Sequence, residues 1–197
     1  MEVSILIAGS GGHGVQSAGK TIVQGAILAG YNASSLPQYG IEKRGGFSAC
    51  YLVISDDVIG NVKKTKSDVV IVIDERAYKL FGGSVKENGT LVWDVGIGSV
   101  SVDCCAVSAP ILETAVALGD MRSISTIVTG LIMGIPGVLP NADEVRTYII
   151  EKYAKKPTVA EMNAKAYDSG LAMGAEVAFG VSEVCLLYTS PSPRDTE

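Results

Sequence analysis

Val3-Ser4-Ile5-Leu6-Ile7-Ala8-Gly9-Ser10-Gly11-Gly12-His13-Gly14-Val15-Gln16-Ser17-Ala18 is the stretch on which the reading of the fold turns. Six mostly apolar residues predict a buried strand, and four glycines within the next six positions predict a tight turn. The apolar spacing through Val15, Ala18, Ile22, Ala26 and Leu28 to Gly30 then predicts a helix. Strand, glycine turn and helix in that order open a βαβ unit. The glycines match G-x-G-x-x-G, whose backbone N–H groups can approach a phosphate at the positive end of a helix.

Two features count against a dinucleotide site. The acidic residue that usually anchors a ribose about 20 residues further on is absent, for Ser34-Ser35-Leu36-Pro37 stands there. No P-loop Lys-Ser/Thr pair directly follows the last glycine of the turn either, for Val15-Gln16 comes after Gly14. A turn that merely packs helix against sheet therefore stands beside the phosphate reading, and these residues alone leave the two even. His13, the only imidazole, suits either a contact to a phosphate or partner carbonyl, or a polar group that holds the loop in shape.

Outward from this stretch, Asn32 to Leu36 predicts a second strand, and Pro37 begins a turn-rich loop running to Gly46. Phe47 to Ser55 is rich in β-prone residues. Asp68 to Asp74 is an apolar run between two acids, the pattern of a central parallel strand covered on both faces. A short helix from Glu75 to Phe81 follows, then an Asn88-Gly89 turn signal, a strand to Asp94 and another from Val100 to Val107. The rest reads helical: Ala109 to Leu118, Ser123 to Met133, Ala142 to Tyr153 with Asn141 as a candidate N-cap, and Thr158 to about Gly180. Strands alternating with helices predict an α/β three-layer sandwich on a largely parallel or mixed sheet with a helical C-terminal part. Residues 1–184 read as one domain. After Val184 the composition turns abruptly to Ser and Pro, so residues 185–197 read as a disordered tail or as a non-native ending of the kind left by read-through of sequencing-adapter DNA.

Composition narrows the class. The 197 residues are 47% hydrophobic and 19% charged, with a mean hydropathy of +0.31, which suits a packed core and excludes disorder over most of the length. No apolar run reaches the roughly 18–20 residues of a membrane span. Sixteen basic against twenty-one acidic residues give a net charge of −5. Lys63, Lys64 and Lys66 are the densest basic stretch, too short for a nucleic-acid track. The start lacks a basic leader before its apolar strand, which predicts a cytoplasmic protein. Cys50, Cys104, Cys105 and Cys185 include no C-x-x-C pair and read as buried structural thiols, so no metal site of the chain's own is expected.

Glu42-Lys43-Arg44-Gly45-Gly46 sets a guanidinium beside two glycines. Arg44 suits a bidentate contact to a carboxylate or phosphate; a solvated loop arginine is the plainer reading. Tyr39 is a candidate interface aromatic. No Ser/His/Asp set emerges, and no catalytic residue is assigned.

Taken together, Leu6 to Gly19 and the segment Pro37-Gln38-Tyr39-Gly40-Ile41-Glu42-Lys43-Arg44-Gly45-Gly46-Phe47-Ser48 resemble the two signatures of the gamma subunit of 2-oxoacid:ferredoxin oxidoreductases, the family of the pyruvate and 2-oxoglutarate enzymes. Val53 to Asp56, Gly119-Asp120, Asn163 and Ala166 fit the same layout, and the resemblance covers about residues 3–180. His13 stands where the family usually has Gln, Ile41 to Arg44 where it often has a Pro-Glu-Met-Arg-type run, and Ser125 where it commonly has Asn, so His13 and Ser125 inherit no role by position. The resemblance implies a complex that turns a 2-oxoacid, coenzyme A and oxidised ferredoxin into acyl-CoA, carbon dioxide and reduced ferredoxin. It further implies that thiamine diphosphate and iron–sulfur clusters lie mainly on alpha-, beta- and delta-type partner chains. The gamma chain then borders the catalytic core as an assembly component, inactive alone. Gly9, Gly11, Gly12, Gly14 and Arg44 become candidates for contact with coenzyme A or for the subunit interface. Two alternatives stand beside it: a free-standing nucleotide-binding α/β enzyme, and the corresponding subunit of an indolepyruvate enzyme, which usually has His-Gly where Tyr39-Gly40 stands.

Overall fold

A computed structural model describes residues 1–42, 45–101 and 104–177. In chain order these form β1 (Glu2–Ser10), α1 (Val15–Leu28), β2 (Asn32–Tyr39), β3 (Phe47–Ser55), β4 (Ser67–Val72), α2 (Glu75–Phe81), β5 (Val85–Asp94), β6 (Cys105–Ala109), α3 (Ile111–Ala117), α4 (Ile124–Gly134), α5 (Ala142–Lys152) and α6 (Pro157–Ala175), with short 3-10 turns between some of them. The strands make one sheet in the order β2-β3-β1-β4-β5-β6. β1 pairs in parallel with β4, β4 with β5 and β5 with β6, while β3 runs antiparallel to both β1 and β2. The expected α/β sandwich is therefore present, as a mixed sheet in which β3 alone is reversed.

The two faces are covered unequally. Val3, Ile5 and Ile7 of β1 meet Val15, Ala18 and Ile22 of α1 and a large cluster from α4, α5 and α6. The alternate residues Leu6 and Ala8 face the other way, where α2 contributes Ala77 and Phe81, as the two-residue period of a strand requires. Val69 to Ile73 are wholly buried, which is why that segment reads as an unbroken apolar run.

Two sequence expectations need correction. Pro37 does not end the second strand: β2 continues to Tyr39, with Pro37 opposite Cys50. β2 is an edge strand, so the missing N–H of proline has no neighbour to fail. Asn88-Gly89 is not a hairpin turn but lies inside β5. Ser67 pairs with Val85 while Val69 pairs with Thr90, so the intervening β5 residues bulge out. A Cβ on Gly89 would lie 2.8 Å from the Asp68 carbonyl, which explains the glycine.

The helices fall close to expectation, and the expected extension past Ala175 runs into residues 178–180, outside those described. Asn141 precedes α5 but makes no capping bond. Its Nδ2 donates to the Gly25 carbonyl at 2.7 Å and so ties α5 to α1. Cys50 is buried, and burial pushes its thiol up to about 11. Cys104 and Cys105 are only half-buried, and Cys185 lies outside the described residues.

Candidate functional site

The register of β3 brings the two singled-out segments together. Ser10 lies opposite Phe47 and Tyr39 opposite Ser48. The chain leaving β2 and entering β3 therefore loops out directly beside the glycine turn that leaves β1. The Gly11 N–H donates to the Gly46 carbonyl at 2.8 Å and closes the gap between them. Between the walls lies a cleft of about 360 Å³ bordered by Gly11, Gly12, Gly14 and Ser17 on one side and Tyr39, Gly40, Gly46 and Phe47 on the other. It sits beyond the carboxyl end of β1, where open α/β sheets place their ligands.

Within the turn, Gly12 at φ 105° and Gly14 at φ 69° occupy left-handed backbone, which glycine adopts without the steric cost borne by other residues. Gly14 is also crowded, for a Cβ there would lie 2.7 Å from Cβ of Ser125. As N-cap of α1 it supplies no side-chain acceptor, so the first amides of the helix face the cleft region without a capping oxygen. Gly9 is not among the residues lining the cleft. A Cβ there would lie 3.0 Å from His13 Nδ1 and 3.3 Å from the Ile73 side chain, so its smallness lets the turn pack on β4. Arg44 lies outside the described residues, as does Lys43.

Asp74 holds the turn from below. Its Oδ2 accepts the Ser10 N–H at 2.5 Å and its Oδ1 accepts the Ala77 N–H at 2.9 Å, which makes it the N-cap of α2 as well. His13 Nδ1 lies 3.3 Å from the same Oδ2, an ion-pair distance rather than an aligned hydrogen bond. Burial alone would raise the Asp74 carboxyl; the His13 ring and the Ala77 and Ser10 N–H groups outweigh it and hold the group well below the usual carboxylate range. The structure places the His13 ring against Asp74 within the turn. Reading along the chain missed Asp74 as a site residue; an acid at a strand end three residues before a helical N–H was the available signal.

The opposite wall is braced too. Arg76 on α2 donates to the Gly45 carbonyl at 3.1 Å and pairs with Glu42, whose carboxyl it holds below its ordinary value. Gln16 of α1 donates to Ser48 Oγ at 3.0 Å and to the Ala49 carbonyl at 2.8 Å. Tyr39 and Ile41 point outward, Ile41 fully exposed. Among the described residues no three His, Cys, Asp or Glu side chains could together hold a metal ion, and no helix is long and apolar enough to cross a membrane.

A mixed sheet with a glycine turn and a braced second loop walling one cleft defines an α/β ligand-site architecture. Comparison with known proteins makes the assignment particular. The family model described as "Pyruvate ferredoxin/flavodoxin oxidoreductase" matches residues 4–173, and the chain belongs to that family. It is 33% identical over 173 residues to the ketoisovalerate oxidoreductase subunit VorA of Methanothermobacter marburgensis, covering 86% of this chain and 36% of that one. It is 30% identical over 177 residues to the 2-oxoglutarate synthase subunit KorC of Archaeoglobus fulgidus, covering 89% and 90%. The chain thus spans about a third of the ketoisovalerate relative and nearly the whole of the 2-oxoglutarate one. In fold it is similar to the keto/oxoacid ferredoxin oxidoreductase gamma subunit of Geobacter sulfurreducens, with a TM-score of 0.77 at 22% identity over 90% of this chain and 98% of that one. It is likewise similar to the 2-oxoglutarate:ferredoxin oxidoreductase of Magnetococcus marinus, solved with 2-oxoglutarate, coenzyme A and succinyl-CoA bound, with a TM-score of 0.80 at 22% identity over 92% and 33%.

Proposed function

We propose that this chain is a gamma-type subunit of a cytoplasmic 2-oxoacid:ferredoxin oxidoreductase. It joins alpha-, beta- and delta-type chains that convert a 2-oxoacid, coenzyme A and oxidised ferredoxin to acyl-CoA, carbon dioxide and reduced ferredoxin. The observation that carries the reading is that both family signatures, separated in sequence by residues 20–36, wall one cleft.

In this reading the chain performs no bond-making step. Thiamine diphosphate and iron–sulfur clusters supply the redox chemistry from partner chains. The glycine turn, with its uncapped α1 amides, forms an anion-tolerant wall beside which coenzyme A passes. The exposed Tyr39 and Ile41 supply an apolar rim for a neighbouring subunit. Residues 1–184 act as one domain.

The substitution Ser17→Glu tests the cleft. Ser17 is exposed in the first turn of α1 and lines the cleft, where a carboxylate favours the helix and repels an incoming phosphate. The reconstituted complex should assemble normally with a KM for coenzyme A raised severalfold and kcat kept. An unchanged KM would remove coenzyme A from this cleft.

A further inference from the structure

β2 forms one edge of the sheet, and among the described residues it pairs with β3 alone. Natural edge strands are blunted by charge, by shortness, by a proline or by a bulge. β6, at the opposite edge, is short. β2 runs for eight residues without a bulge in its register with β3. No charged side chain stands anywhere between Lys20 and Glu42, in a chain of which 19% is charged. Large apolar side chains are exposed along it: Leu36 and Tyr39, then Ile41, with Ile27 and Leu28 at the end of α1. Val58 is exposed as well, beside Asp57, whose carbonyl accepts Asn32 Nδ2 at 3.2 Å where β2 starts. Pro37 is the one guard on this edge.

The backbone phase decides what that edge can pair with. The Gly40 N–H donates to the Phe47 carbonyl at 2.8 Å, and bonded and non-bonded residues alternate along an antiparallel pair. Asn32, Ser34, Leu36 and Gln38 therefore bond to β3, while the backbone groups of Ala33, Ser35, Pro37 and Tyr39 point to the free edge. A second β2 laid antiparallel about a two-fold axis at Leu36 sets Ala33 opposite Tyr39 of the copy and Ser35 opposite Pro37 of the copy. Ala33 and Tyr39 then exchange both backbone bonds, and the Ser35 N–H donates to the Pro37 carbonyl, so only the donor that proline lacks goes unmade. An axis at Ser34 or Ser35 leaves Tyr39 opposite Ala29 or Tyr31, outside β2, and the Tyr31 N–H already donates to the Ala26 carbonyl at 3.0 Å. At the Leu36 axis the two exposed leucines meet as a close, non-bonded pair on the face that carries Tyr51.

We propose that two copies of this chain pair edge to edge through β2, about a two-fold axis at Leu36, into one continuous sheet. The contact is isologous, so the same uncharged strand serves both sides and no like charges meet. The inference goes beyond the subunit reading above and does not rest on it.

The test is sedimentation of the full chain from micromolar to submillimolar concentration, where a reversible monomer–dimer equilibrium is expected. Leu36→Lys and Leu36→Glu each set like charges across the axis, and each should weaken the dimer by about tenfold or more. An equimolar mixture of the two variants should recover a mixed dimer, which neither misfolding nor the mere loss of an apolar side chain would give. Leu36 is exposed, so the thermal midpoint of the dilute monomer should hold and serves as the folding control. Ser35→Pro removes an outward N–H while leaving the bonds to β3, and should weaken the dimer without any charge. A parent chain that stays monomeric at every concentration would overturn the proposal, as would a dimer indifferent to all three variants. A monomeric chain whose complex with partner chains is lost in Ser35→Pro would also overturn it, and would give the edge to a strand of another protein.

Discussion

Asp74 accepts the Ser10 N–H and the Ala77 N–H at the top of β4, with His13 Nδ1 3.3 Å away, so one carboxylate fixes both the glycine turn and the start of α2. Asp74→Ala should cost about 1–2 kcal/mol through the lost cap and the unsatisfied amides, measured by urea unfolding. The sign of its pH dependence follows from its depressed folded value. The stability it contributes is fully present above the ordinary carboxylate value of 3.8 and is lost as pH falls below that toward the folded one. The gap in thermal midpoint between parent and Asp74→Asn should therefore be constant from neutral pH to about pH 5 and shrink on further acidification; a gap independent of pH would contradict the assignment. Gly14→Ala meets both a left-handed backbone and the Ser125 side chain, and should cost about 1–3 kcal/mol. At this scale the glycine turn was legible because its signal is local. Asp74 was not, because 64 residues separate it from Ser10 and only the β1–β4 pairing makes them neighbours.

α4 and α6 pack closely through glycines that interlock reciprocally. A Cβ on Gly130 or Gly134 would strike the carbonyls of Tyr167 or Leu171, and one on Gly170 or Gly174 those of Ile127 or Leu131. Both helices were legible from their apolar spacing, but the pairing of the two Gly-x-x-x-Gly runs depends on the crossing and not on either helix alone. Gly170→Ala must push backbone from backbone and should cost about 1–3 kcal/mol, with Gly60→Ala, which meets open space, staying within about 0.5 kcal/mol. Equal midpoints for the two variants in thermal unfolding would contradict the close contact. The elements read wrongly share a cause: Pro37 and Asn88-Gly89 are strong local turn signals that tertiary placement overrode, one on a free sheet edge and the other in a bulge.

Across the whole molecule, the reversed β3 sets the two family signatures face to face across one cleft, and the glycine turn of the first also borders a second cleft between α1, α4 and α5. Fold class and family were readable because strand alternation and paired motifs survive in one dimension. The second cleft was not, since Gly12, Arg122 and Lys152 converge only after α1, α4 and α5 have packed. Membership of the oxidoreductase family gives this geometry its proposed purpose, that of a chain needed by a larger assembly. The most direct measurement is reconstitution: the chain is co-expressed anaerobically with alpha-, beta- and delta-type chains encoded beside it, and coenzyme A-dependent reduction of a viologen dye is followed with pyruvate and with 2-oxoglutarate. Turnover that appears only when this chain is present is the predicted result; a stable, fully active complex formed without it would contradict the account.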